Sequence, residues 1–138
     1  MPANTSPIFS RLADLQWNTA IVTAANTAKD GTGTVATVFF ADATNGGFVQ
    51  KIIARPIGTN VATVLRIFVN NGSANTTAAN NSLIAEMTLP ATTLSEVAAQ
   101  PDYVLPLNFA LPAGYKLLAT LGTAVAAGYQ ISSIGGKF

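Results

Sequence analysis

The stretch Val61–Val69, VATVLRIFV, decides how the rest of the chain is read. In an extended strand successive side chains point to opposite faces. Thr63, Leu65, Ile67 and Val69 therefore share one face, and Ala62, Val64, Arg66 and Phe68 the other. β-branched and aromatic residues dominate the run, as strands prefer. Both faces are largely apolar, which predicts a central strand or one covered by a partner.

Runs of the same kind lie on either side. Upstream are Trp17–Thr23, Thr34–Ala41 and Phe48–Arg55; downstream are Leu83–Leu89, Tyr103–Phe109, Tyr115–Leu121 and Tyr129–Ile134. Turn signals separate them. Asp30-Gly31 and Gly33 mark one turn, and Asn45-Gly46-Gly47 reads as a hairpin turn. Pro56 and Gly58 interrupt the third run, and Leu111-Pro112-Ala113-Gly114 joins two later ones. Asn70–Ser82 is a polar, uncharged loop, and Leu94–Ala99 reads as a single helical turn inside the long Pro90–Pro101 connection. No stretch keeps a helical period over ten residues. Eight short strands with regular turn signals predict an all-β antiparallel β-sandwich, jelly-roll-like, in one domain. The expected division is an extended N-terminal arm over 1–16 and a sandwich domain over 17–138. A lone Trp at a strand start, here Trp17, is more often a core residue than a ligand platform.

Composition narrows the function. Only 9% of the 138 residues are charged, and the formal net charge is +1. A typical globular domain carries about 25% charged residues. Nothing here marks a nucleic-acid or anionic-membrane surface. Solubility normally leans on charge, so a surface this poor in it predicts extensive cover by partners.

There is no Cys and no His. Thiol nucleophiles, thiolate metal sites and imidazole bases are absent with them. The acids are Asp14, Asp30, Asp42, Glu86, Glu96 and Asp102. Asp30, Asp42 and Asp102 sit beside turn signals, which leaves mid-strand Glu86 as the only one that reads as a catalytic candidate. Gly31-Thr32-Gly33-Thr34 lacks the lysine of a phosphate loop. No serine-nucleophile elbow or calcium-loop pattern occurs. The sequence therefore predicts no enzyme, no catalytic residues, no cofactor and no metal ligands. The first residues, MPANTSPIFSRLADLQW, lack a basic segment followed by an apolar run and do not read as a signal peptide. The most apolar tract, 103–128, is interrupted by Pro106, Asn108, Pro112 and Lys116, so it does not read as a membrane span.

Residues 105–136, LPLNFALPAGYKLLATLGTAVAAGYQISSIGG, run as an apolar strand, an L-P-A-G-Y turn, a strand, an L-G-T turn and a G-Y-x-I strand ending in Gly-Gly. This order resembles the small capsid decoration (cement) proteins of tailed bacteriophages, and GGFVQKIIARPIGTNVATVLRIFVNNG resembles the same group. Together the two segments lie within residues 33–136. The resemblance implies a jelly-roll-like structural virion protein on the outer capsid surface. It implies partners in the major capsid protein and in copies of itself, as a homotrimer that clamps neighbouring capsid subunits. It also implies that the N-terminal arm reaches a partner, which makes Ile8, Phe9, Arg11 and Leu12 the expected interface. The alternative expectation is a carbohydrate- or receptor-binding sandwich of a phage fibre or spike, with Trp17, Tyr103, Tyr115 and Tyr129 as stacking aromatics.

Overall fold

The computed structural model describes residues 11–138. Eight strands follow in chain order: β1 Leu12–Trp17, β2 Ala36–Phe40, β3 Gly47–Pro56, β4 Thr63–Asn70, β5 Asn81–Leu89, β6 Tyr103–Leu111, β7 Lys116–Leu121 and β8 Tyr129–Lys137. They form two antiparallel sheets of four. Sheet A has the order β1-β8-β3-β6 and sheet B the order β2-β7-β4-β5. Every connection except β4–β5 crosses from one sheet to the other, which is the jelly-roll arrangement of an eight-stranded sandwich.

The core lies between the sheets. β4 supplies Leu65 and Ile67, with β7 contributing Leu117 and Leu121. Facing them are Val49 and Ile52 of β3 and Tyr129 and Ile131 of β8. Each is fully buried, and each such aliphatic side chain contributes about 1.5–3 kcal/mol when removed from water. β4 is central, with β5 pairing along one edge and β7 along the other; one of its faces puts Leu65 and Ile67 into the core, and Phe68 on the other face is buried as well.

Four expectations are corrected. The first strand is not Trp17–Thr23 but Leu12–Trp17, which pairs with β8 from Leu12↔Lys137 to Trp17↔Ser132. Most of the expected arm from residue 11 to 16 is therefore part of the sandwich. Ile21 and Val22 lie in a connection that touches β8 only at the Val22↔Tyr129 bridge. Asn45-Gly46-Gly47 makes no hairpin, because β2 and β3 belong to different sheets. Gly46 has a φ of +77, and a Cβ there would run into the Leu111 carbonyl, so the glycine serves a tight corner between sheets. Leu94–Ala99 is not helical. The Ser95 hydroxyl accepts from the Val97 and Ala98 N–H groups at 3.2 Å each and bends the chain once, without a following turn of helix.

The open sides of the sandwich are managed by side chains. Ser133 Oγ of β8 donates to the Val38 carbonyl of β2 at 2.7 Å, where β2 bulges. At the other end Asn60 is buried. Its Oδ1 accepts from the N–H groups of Ala127 (2.9 Å) and Gly128 (2.8 Å), and its backbone bridges Thr92.

Candidate functional site

The two sheets treat their outer faces differently. On sheet B, Phe68 and Leu118 pair with each other and lie outside the shared core, yet both are buried. Leu118 lines a hollow of about 150 Å³ together with Val35, Gly72 and Asn75, so the 18–35 and 71–80 connections reach over this face. Asparagines tie those connections together. Asn75 Nδ2 donates to the Gly31 and Gly33 carbonyls at 3.0 and 2.9 Å. Asn81 Nδ2 donates to Asp30 O at 3.0 Å, and Asn26 Nδ2 to Thr34 O at 2.7 Å. The low-complexity Asn70–Ser82 segment thus packs on its own domain.

Among the described residues sheet A has no such cover. Its strand pairings place outward-pointing residues in three rows across β1, β8, β3 and β6. One row is Trp17, Ser132, Ile53 and Val104; the next is Leu15, Ile134, Lys51 and Pro106; the third is Ala13, Gly136, Phe48 and Ala110. An antiparallel sheet with one solvated face normally carries polar residues there. Here the rows hold one charge, Lys51, among mostly apolar side chains. Leu15 is 59% exposed, Trp17 56% and Val104 43%. Arg55 lies one row beyond and pairs with Asp102, Nε to Oδ1 at 2.6 Å. Lys51 has no ion-pair partner among the described residues.

Of the expected interface residues, Ile8 and Phe9 lie outside the described residues. Leu12 is exposed at the start of β1, next to Arg11, whose N–H donates to the Lys137 carbonyl at 2.7 Å. Trp17 is not a core residue: it stands on the edge strand of sheet A. Of the three tyrosines, Tyr129 is fully buried, and Tyr103 and Tyr115 pack against the core from partly buried positions. Trp17 was foreseen only as a stacking aromatic; the rows around it were not foreseen, because they exist only once four sequence-distant strands are in register.

The acids are mostly engaged. Asp30 accepts from the Thr32 hydroxyl and N–H, and these hydrogen bonds hold its carboxyl below the usual range. Asp42 is lowered by the N–H groups of Asn45 and Thr44. Glu86 accepts from Arg66 Nε at 2.9 Å. Among the described residues no three of Asp, Glu, His or Cys are grouped as a metal site would require. No helix among them is long and apolar enough to cross a membrane.

Two larger hollows lie elsewhere on the domain. One, of about 480 Å³, lies between the Asn18–Ala24 connection and β2, with Thr19, Thr23, Thr34, Thr37 and Thr120 on its walls. The other, of about 370 Å³, is an apolar slot between the edges of β5 and β6, lined by Ile84, Ala85, Pro106, Leu107 and Phe109. No family model matches the chain, and neither a curated protein nor a solved structure matches it.

Proposed function

We propose that this chain is a structural virion protein, a capsid decoration or cement protein that binds the outer capsid surface and stabilises the head by bridging major capsid subunits. The observation that carries the reading is the outer face of sheet A, a four-stranded surface with one charge in three rows. Extended apolar surface of that kind marks an interaction site, not a solvated wall. The sequence resemblance over residues 105–136 points the same way. In this reading the shell contact lies at the Ile8–Leu12 end, with Arg11 and the exposed Leu12 at its root. Copies of the chain associate as a homotrimer, and no catalysis is involved.

The test mixes the purified chain with heads of a phage whose major capsid gene adjoins this one. Saturable co-sedimentation and a rise in the temperature at which heads release DNA are expected, both weakened by Leu12→Asp. A chain that stays in the supernatant at every ratio overturns the reading.

A second reading, glycan binding, is favoured by Trp17, which is exposed and followed directly by Asn18 at the threonine-walled hollow. Trp17 is the sole tryptophan, so its fluorescence reports the site. Saturable quenching by host polysaccharide supports this reading, and an unchanged spectrum dismisses it.

A further inference from the structure

We propose that a second copy of this chain covers the outer face of sheet A, and that it does so with its Leu94–Ala99 loop, whose Glu96 meets Lys51. This deepens the self-association part of the function proposed above and rests on it. It says which two surfaces meet.

A two-fold contact of sheet A with itself would bring Lys51 towards Lys51, because that residue stands in the middle row on an inner strand. Like charges forced together in an interface are costly. The face therefore fits a different surface, one that is apolar and brings a carboxylate.

The same chain carries such a surface. Glu96 is the one acid with neither a hydrogen bond nor an ion pair among the described residues. It is flanked by the most exposed apolar side chain of the domain, Val97 at 98%, and by Leu94 at 52%. The loop is also held in shape. The Leu94 N–H donates to Thr59 Oγ1 at 3.0 Å, Gln100 Nε2 donates to the Thr93 carbonyl at 2.9 Å, and Ser95 bends the tip. A loop fixed before association loses little entropy when it docks.

Four strands about 4.8 Å apart and three rows about 7 Å apart make, with their side chains, a patch of roughly 400 Å². A stable interface takes about 800 Å² from each partner. One face-to-loop contact falls short alone. A contact between unlike surfaces repeats head to tail, however, and a closed ring gives every chain two of them. The proposed assembly is therefore a ring in which each copy offers its sheet A to one neighbour and its loop to the other.

The experiment is sedimentation velocity of the full chain over a rising concentration series, with Lys51→Glu, Glu96→Lys and the double exchange. The parent is expected to associate. Each single exchange sets like charges together and is expected to raise the dissociation constant at least about tenfold. The double exchange restores association. A parent that stays at 14.2 kDa at every concentration overturns the proposal. So do single exchanges that associate like the parent, or a double exchange that fails to recover. Adding heads to the same samples separates the two readings. Single variants that still bind heads as monomers leave the shell reading standing without needing this interface, and an associating parent that ignores heads does the reverse.

Discussion

Gln16 and Phe40 exchange two hydrogen bonds across the gap between the sheets. Gln16 Nε2 donates to the Phe40 carbonyl, and the Phe40 N–H donates to Gln16 Oε1, each at 2.9 Å. One side-chain amide thus replaces the strand that β2 lacks on its free edge. The same Nε2 also donates to Asp14 at 3.0 Å. Gln16→Glu keeps the acceptor, removes the donor and brings a carboxylate towards Asp14 and a carbonyl. We expect a loss of about 1–2 kcal/mol, read as a lower urea midpoint with an unchanged slope.

Tyr129 lies in the core with a buried hydroxyl that has no hydrogen-bond partner. Tyr129→Phe keeps the ring and removes the stranded group, so it is expected to stabilise the domain by about 1 kcal/mol. Burial, and secondarily the neighbouring Tyr103, push the phenol above its ordinary 10.0. A raised phenol favours the folded state fully below that value. The advantage is lost as pH rises above it towards the folded value, since only the unfolded chain then ionises freely. Thermal melts between neutral and strongly alkaline pH should show a smaller decline in Tyr129→Phe than in the parent.

Asp42 runs in the opposite sense. Its carboxyl is lowered from 3.8 by the Asn45 and Thr44 N–H groups. Its contribution is present above the unfolded value and is lost as pH falls through the lower folded one. Asp42→Ala should be less stable than the parent at neutral pH, and the two should converge in strong acid. A constant gap down to the lowest pH would contradict this.

Asn60 closes the end of the sandwich opposite the Leu12–Lys137 pair. Asn60→Ala leaves the buried Gly128 N–H without its 2.8 Å acceptor and the Ala127 N–H without its own. A loss of about 3 kcal/mol is expected. Hydrogen exchange should locate it, with protection falling first at Ala127 and Gly128.

Gly135 pairs with Val49, where β3 bulges at Gln50. A Cβ on Gly135 would overlap the Phe48 carbonyl oxygen, which is backbone and cannot rotate away. Gly135→Ala is expected to cost more than about 2 kcal/mol and to lower the soluble yield. Gly114→Ala is the control: it has open space and only a positive φ to contend with, so it should cost about 1–2 kcal/mol.

Much of the strand content is legible in single runs, because each of the seven later strands is locally rich in apolar or β-branched residues. β1 is the exception. LADLQW has weak strand propensity, and Trp17–Thr23 has a stronger one, but pairing with β8 and the Gln16 clamp select the former. The Asn45-Gly46-Gly47 signal is a true turn, but the two strands it joins pair with others, β2 with β7 and β3 with β6 and β8. Exposure of Leu12 is foreseeable from its place at the edge of the domain. The rows centred on Lys51 are not, since they depend on the register of β1, β8, β3 and β6, whose paired members lie as far apart along the 138-residue chain as Ala13 and Gly136.

The pairing of the first strand with the last has a consequence for biosynthesis. While the ribosome still holds Tyr129–Lys137, the centre of sheet A is missing, and β1 and β3 have no strand between them. The sole pair that can zip locally is β4 with β5. The nascent chain therefore keeps its apolar strands uncovered until Tyr129–Lys137 has left the ribosome, and then closes around that nine-residue strand.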